Sequence, residues 1–335
     1  MRVGILYDLF EDYPWREGEP FDAHAENEPV ETVDAIADAL VLLGHEPVRI
    51  GPAHALLGAS REPGFSMDAA INIAEGAHHR GREGEVPTLL AMLGIPCAGS
   101  DALTLSLSLD KAWTKDLVRA AGVATPDWVV YPWEARPGLL EFSALPPFPL
   151  FVKPRYEGSA KGLDARSKVH NAAELERQVT HITGAYRQDA LVEAFVEGSE
   201  FTVAIVGHDP PRALPVLQRA LCSETGIGLH VLDRPDLPSA ERPWVLPGRL
   251  TPALEAQLTT DALTVFRKLE CRDFARLDFR VDAEGRPWFL EINPLPTFAP
   301  DGTFAIMAEL MGQTYPAFLA SILDDALRHA LANQD

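Results

Sequence analysis

Residues 274–294, FARLDFRVDAEGRPWFLEINP, hold the residue types best suited to chemistry. The stretch predicts two strands, 274–282 and 287–293, joined by a tight turn at Glu284-Gly285, where glycine accepts a positive φ without a Cβ clash. A turn centred there sets Asp278 opposite Glu291 and Arg276 opposite Asn293. Side chains alternate between faces along a strand. Those four residues therefore share one face, while Leu277, Phe279, Val281, Trp288, Leu290 and Ile292 share the other. Two carboxylates and an amide oxygen are hard ligands, suited to a magnesium ion that also touches substrate phosphates. Arginine beside them suits an anion or a negative charge that develops during reaction. A polar, solvated hairpin face is ordinary. Two directly opposed carboxylates are less so, because like charges across a ladder repel; a bound cation removes the objection.

Three further segments carry candidate chemistry. Residues 150–162, LFVKPRYEGSAKG, set Lys153 inside an apolar strand, ahead of a loop with Gly158, Ser159 and Gly162. Small residues let backbone N–H groups approach phosphate oxygens, and serine adds a hydroxyl donor. The Walker A pattern is absent, and a plain hairpin loop would use the same glycines. Residues 191–200, LVEAFVEGSE, offer Glu193 and Glu200, acids able to take ribose hydroxyls or an adenine amino group, or to be simply solvated. Residues 72–87, NIAEGAHHRGREGEVP, follow a strand at 69–73. Ligands of open α/β sheets bind at the carboxyl ends of strands, so Glu75, Gly76, Arg82 and Glu83 form a candidate substrate loop. His78 and His79 are adjacent, point apart and make a poor metal pair.

The elements that must position these residues read as follows. Strand, helix, strand and strand at 2–7, 29–43, 47–50 and 69–73 suggest a parallel α/β domain. Between the first two lies residues 9–28, a long acidic and aromatic connection whose Glu26 and Glu28 could hold a substrate ammonium or be solvated. A short helix is expected at 87–93 and a strand end at 95–97. A single helix is expected at 103–121, a proline-rich linker at 125–149, and a capped helix at 171–181. Strands are expected at 190–195, 200–206 and 214–217, an irregular stretch at 218–250, and helices at 251–269, 303–311 and 315–331. The chain has 335 residues, 47 % of them hydrophobic and 23 % charged, with a net charge of −20. That composition is globular, and the negative field disfavours a nucleic-acid partner. No run of about 18 apolar residues predicts a membrane span. The start, MRVGILYDLF, reads as a strand and not as a signal peptide, which points to the cytoplasm. Cys97, Cys222 and Cys271 are too few and too scattered for a disulfide framework or a zinc pattern. Lysine occurs only at 111, 115, 153, 161, 168 and 268, so a lysine in a strand or loop motif stands out.

In this order, NIAEG with REGEVP, LGIPCAGSDALTLSLSLDKAWTK, FPLFVKPRYEGSAKG, LVEAFVEGSEFTVAIVG and CRDFARLDFRVDAEGRPWFLEINPLP resemble the ATP-grasp superfamily, and within it the D-alanine–D-alanine ligase family. The resemblance implies an α/β (α+β) fold of three domains, here 1–100, 101–196 and 197–335, with ATP between the central and C-terminal ones. It implies that Lys111 and Lys153 contact ATP phosphates, that Glu193 lies near adenine with Phe195 and Val196 as backbone contacts, and that Glu200 takes the ribose. Gly158 and Ser159 would close over phosphates and substrate. Asp278, Glu291 and Asn293 would hold magnesium, two ions by the family pattern, with manganese able to replace it. Arg276 would stabilise an acyl phosphate and a tetrahedral intermediate, with Ser159 assisting. The implied reaction is ATP-dependent amide formation between amino acids, or an amino acid and another amine. The family is often dimeric. D-alanyl-D-alanine synthesis and a catalytically silent ATP-binding protein are the alternatives.

The departures from the family concern substrate. The opening glycine-pair, serine and glutamate motif is replaced by YDLFEDYPWREGEP. Residues 218–250 lack the family's tyrosine and lysine, leaving Arg219, Arg234, Arg242 or Arg249 as substitutes for the charge. Thr297 stands near the family's glycine in the substrate turn. Glu75, Arg82, Glu83 and Thr297 are therefore the substrate candidates.

Overall fold

Four parallel strands open the chain: β1 (Arg2–Tyr7), β2 (Glu46–Gly51), β3 (Ala69–Ile73) and β4 (Cys97–Ala98), in spatial order β2-β1-β3-β4. Here and below, the computed structural model describes residues 1–134, 145–232 and 244–333. Helix α1 (Val30–Leu42) buries Val33, Ile36, Ala37 and Leu40, the stripe expected from a 3.6-residue period. Helix α2 (Ala53–Ala59), which the periodicity does not announce, and α3 (Glu85–Met92) make the other connections. All five residues of β3 are buried, as parallel strands covered on both faces require.

The helix expected at 103–121 is two helices, α4 (Ala102–Leu109) and α5 (Lys111–Ala120). Asp110 stands between them in an extended conformation and accepts from the N–H groups of Ala112 at 3.1 Å and Trp113 at 3.2 Å. An aspartate N-cap satisfies donors that a helix start leaves open. It also makes Lys111 the first residue of a helix. The same carboxylate takes Nε and Nη2 of Arg155, each at 2.8 Å.

The next sheet is antiparallel, in order β5-β8-β6-β7: β5 (Trp128–Tyr131), β6 (Leu150–Pro154), β7 (Lys168–Val169) and β8 (Ala190–Ala194). Strand β5 falls inside the proline-rich stretch expected to be a linker, and its pairing with β8 overrides that local composition. Helix α6 (Ala172–Tyr186) covers this sheet, its N-cap Asn171 accepting from Glu174 N–H at 3.0 Å. It runs five residues beyond the expected end.

The third sheet holds the hairpin. Its path is β12-β11-β9-β14-β15, with β10 added to β9 and β13 to β11. The strands are β9 (Ser199–Val206), β10 (Arg212–Ala213), β11 (Leu217–Cys222), β12 (Gly228–Leu232), β13 (Trp244–Val245), β14 (Phe274–Val281) and β15 (Pro287–Asn293). The stretch expected to be irregular from 218 thus contributes three strands: β11 pairs with β9, and β12 and β13 pair with β11, so that pairing supplies what local propensity does not. Helix α7 (Pro252–Lys268) packs beneath the sheet; α8 (Thr303–Leu310) and α9 (Tyr315–Ala332) return to the first sheet, where α9 lies against α1.

Arg276 pairs with Asn293 and Asp278 with Glu291, as expected, yet the turn is not centred where alternation places it. Val281, Arg280 and Phe279 pair with Pro287, Trp288 and Phe289, and a bulge then absorbs Leu290. A bulge sets two residues of one strand against one of its partner. Leu290 and Glu291 consequently both line the cleft described below, and Phe289 takes the core place on the other face, fully buried edge-on to Phe279. Leu277, Phe279, Val281 and Ile292 are core residues as expected; Trp288 and Leu290 are not. Among the described residues no helix is long and apolar enough to cross a membrane.

Asp110 both caps α5 and neutralises Arg155. Asp110→Ala should lower stability by about 2–4 kcal/mol, a lost cap together with an uncompensated arginine. Asp110→Asn, which keeps the cap, should lose less. Urea denaturation checks the order; equal losses would deny the cap its share.

Candidate active site

A cleft of about 910 Å³ separates the β5–β8 sheet from the β9–β15 sheet. Lys153 on β6 and Glu193 on β8 form one wall, and the loop carrying Gly158 and Ser159 forms a lip. Glu200 on β9, Asp278 and Arg276 on β14, and Glu291 on β15 form the facing wall, with Lys111 entering from the start of α5. Phe195 and Val196 lie at the strand end beyond Glu193. All eight residues expected around ATP therefore line one cavity, together with three of the four hairpin residues. Asn293 lines an adjoining cleft, and its Oδ1 accepts from Leu295 N–H at 2.9 Å.

At the Glu193 end, one carboxylate serves two lysines. Oε1 meets Lys153 Nζ and Oε2 meets Lys115 Nζ, both at 2.7 Å. Burial alone would raise the carboxyl, but Lys115 and then Lys153 outweigh it and hold Glu193 at about 2. Lys115, 0 % exposed, is pushed by burial down to about 8, against the pull of Glu193. Lys115 Nζ also donates to Thr125 Oγ1 at 2.8 Å. The Phe195 ring lies between two cations, Lys168 at 4.1 Å and Arg280 at 4.6 Å. Its N–H donates to Pro149, and the Val196 carbonyl accepts from Arg280 at 3.0 Å.

At the hairpin end, Arg276 Nη2 lies 3.3 Å from Asp278 Oδ2, Arg219 Nε 3.7 Å from Asp278 Oδ1, and Lys111 Nζ 3.6 Å from Glu291 Oε2. Burial would raise Glu291, but Lys111 and Lys153 hold it below the usual carboxylate range. Two carboxylates on one face, next to an amide oxygen, are a donor set that fits a hard divalent cation. Glu200 differs. Burial raises it against Arg280 and Arg219, and Arg280 Nε contacts it at 3.1 Å.

A second cleft, of about 430 Å³, opens on the other side of Arg276 and Glu291. Glu26, Glu75 and Glu83 line it opposite Ser159 and Asn293. Burial raises Glu83 to about 7, with Arg82 opposing and Glu26 adding; burial, then Glu83 and Glu26, raise Glu75 well above the usual range. The other two substrate candidates sit elsewhere. Arg82 is 4 % exposed; its Nη2 donates to Glu26 Oε1 at 2.6 Å and its Nη1 to the Tyr156 carbonyl at 2.8 Å. Thr297 Oγ1 donates to Glu28 Oε2 at 2.9 Å, which Thr32 also reaches at 2.8 Å. Arg82 and Thr297 thus fasten the N-terminal segment and line neither cleft. Of the four arginines weighed as substitutes for a loop lysine, Arg219 faces the first cleft and Arg249 lines a separate groove, while Arg234 and Arg242 lie outside the described residues.

Sequence reasoning missed Lys115, Glu157, Lys161 and Arg280. Two had a readable signal: Arg280 continues the polar alternation of 276 and 278, and Lys115 falls one helical turn after Lys111. The Glu193 triad has a pH signature. Its carboxyl titrates near 4.5 when unfolded and at about 2 when folded, so the unfolded chain takes up the proton first. The stability it supplies is complete above about pH 4.5 and falls as pH drops towards 2. Glu193→Gln should lower the urea midpoint at neutral pH, through about 3–5 kcal/mol for a broken buried pair. It should also flatten the acid limb relative to wild type; an unchanged limb would contradict the triad's role.

The family model described as D-ala D-ala ligase C-terminus matches residues 117–324. The uncharacterized protein y4sG of Sinorhizobium fredii is 32 % identical over an alignment of 341 residues, covering 99 % of this chain and 99 % of its own. The D-alanine–D-alanine ligase of Alcanivorax borkumensis is 33 % identical over 262 residues, covering 78 % of each. Among solved structures, D-alanine–D-alanine ligase from Bacillus anthracis complexed with ATP shares the fold, with a TM-score of 0.74 at 23 % identity over 98 % of each chain. With its ATP-grasp architecture, its two facing clefts and these relatives, the chain belongs to the D-alanine–D-alanine ligase family of ATP-dependent ligases that form C–N bonds.

Proposed function

We propose that this ligase activates an amino-acid carboxylate as an acyl phosphate and joins it to an amine whose ammonium is held by Glu75 and Glu83, in the cytoplasm and on substrates other than two D-alanines. The observation that carries the reading is the shared wall: Arg276 and Glu291 border both clefts, so a phosphate in the first lies next to a carboxylate in the second. In this scheme adenine lies at Phe195 and Val196, and Lys111 and Lys153 hold phosphate oxygens. Asp278, Glu291 and Asn293 would hold magnesium, which supplies charge neutralisation at the phosphates when bound. A substrate carboxylate oxygen attacks the γ-phosphorus and releases ADP. Arg276 then faces the negative oxygens of the acyl phosphate. The ammonium passes a proton to one of the two glutamates, and the freed amine attacks the carbonyl carbon. Arg276 faces the oxygens of the tetrahedral intermediate, which expels phosphate and gives it the remaining surplus proton. No protein nucleophile is required: the residues position and neutralise. An arriving ammonium would restore the ionised state of the two buried acids that burial disfavours. The replacement of the family's N-terminal motif supports a different substrate.

Phosphate release from ATP and magnesium across a panel of D- and L-amino acids, diamines and dipeptides tests the reading. Amine-dependent release is expected with a member other than D-alanine; release with D-alanine alone would return the protein to D-alanyl-D-alanine synthesis. Arg276→Ala should lower kcat about 10²–10³-fold, the scale of one lost oxyanion donor, with ATP affinity nearly unchanged. Lost ATP binding with normal kcat would contradict its role. Asp278→Asn with Glu291→Gln should weaken magnesium-dependent ATP binding by about tenfold or more; survival of both binding and turnover removes the metal assignment.

A further inference from the structure

We propose that Arg219 grips the terminal phosphates of the bound nucleotide, from the side of Asp278 opposite Arg276. The inference rests on the ATP reading above. Arg219 pairs with Glu200 across β11 and β9, and Glu200 with Arg280 across β9 and β14. Directly opposed residues share a face, so Arg219 stands on the sheet face that carries Arg276, Asp278 and Arg280. It is only 7 % exposed, and its Nε has no hydrogen-bond acceptor among the described residues. The closest carboxylate oxygen, Asp278 Oδ1, is 3.7 Å away, beyond hydrogen-bond reach.

The other buried arginines show what satisfaction looks like. Arg280 donates through Nε to Glu200 at 3.1 Å, through Nη1 to the Val196 carbonyl at 3.0 Å and through Nη2 to the Gly226 carbonyl at 2.6 Å. Arg82 is likewise used up by Glu26 and Tyr156. Arg219 lacks such acceptors among the described residues, and a buried donor left unmet is unfavourable. A phosphate brings anionic oxygens in the geometry that the guanidinium fork matches. The location selects the phosphates over the rest of the nucleotide. The guanidinium lies 3.7 Å from the Asp278 carboxylate, at the hairpin end of the first cleft, and does not line the acid-lined second one.

Arg219→Met keeps an apolar stem and removes the charge. Binding of ADP, of a non-hydrolysable ATP analogue and of AMP is measured by calorimetry, with magnesium and again in EDTA. ADP and the analogue should weaken by about tenfold or more, the scale of a charge-assisted hydrogen bond. AMP should keep its wild-type affinity and so report an intact fold. The loss should persist in EDTA, since the contact is direct. Should the methionine variant not fold, Arg219→Lys, with one ammonium in place of the fork, should show a smaller loss confined to ADP and the analogue. Equal weakening of AMP, a loss that vanishes without magnesium, or no loss at all would overturn the assignment. A wild-type protein that binds none of the three nucleotides would instead overturn the ATP reading itself, and this inference with it.

Discussion

Asp278 and Glu291 face each other across one strand pair, and like charges so placed repel. Neutralising that pair is the constraint on which the rest of the site depends. The cations that do so come from four separate segments: Arg276 from the same strand, Arg219 from β11, Lys111 from the start of α5 and Lys153 from β6. Each delivery needs a local device. Lys111 reaches the hairpin because Asp110 interrupts a helix and restarts it at the next residue. Arg219 reaches it because β9 is paired on both sides, so that side chains of β11 and β14 stand on one face. The bulge at Leu290 keeps Glu291 opposite Asp278 while the strand below it remains in phase with the core.

Much of this was legible because it follows from local periodicity. Alternation along 274–282 identified the polar face, and Asn171 and Thr251 marked helix starts where their side chains accept from the third residue on. Asp278, Glu291, Glu193, Lys111 and Lys153 stand out from residue types and spacing together with family resemblance. What failed was non-local. Nothing between Leu217 and Leu232 alternates strongly enough to declare strands; they exist because β9 offers β11 a partner and β11 offers one to β12. The bulge leaves no trace in composition, so Leu290 and Phe289 exchange the faces that simple alternation assigns. In the sequence Arg82 is a substrate candidate because its loop follows the carboxyl end of the strand at 69–73. Here its neighbours Glu26 and Tyr156 belong to segments far away in the chain.

The N-terminal segment has become part of the nucleotide-binding half. Glu26 Oε1 accepts from Gly158 N–H at 2.5 Å and Oε2 meets Lys161 at 3.2 Å. Asp22 accepts from Gly162 N–H at 2.8 Å and from Tyr186 hydroxyl at 2.9 Å. Burial would raise Glu26, but Arg82 and Lys161 outweigh it and keep the group ionised, at about 2. Asp22 and Glu26 of this strap are spent on backbone donors of the glycine-bearing loop.

That use of Glu26 has a thermodynamic consequence. The Gly158 N–H is a donor that an anionic oxygen would seek, and a carboxylate already occupies it. A ligand that claims the donor releases Glu26, which also borders the acid-lined cleft, and so changes the charge met by whatever binds there. Affinities at the two clefts are then not independent quantities. Linkage makes the effect symmetrical: whatever factor the first occupant imposes on the second, the second imposes on the first. The strap thereby joins the order of binding to the electrostatics of a single carboxylate.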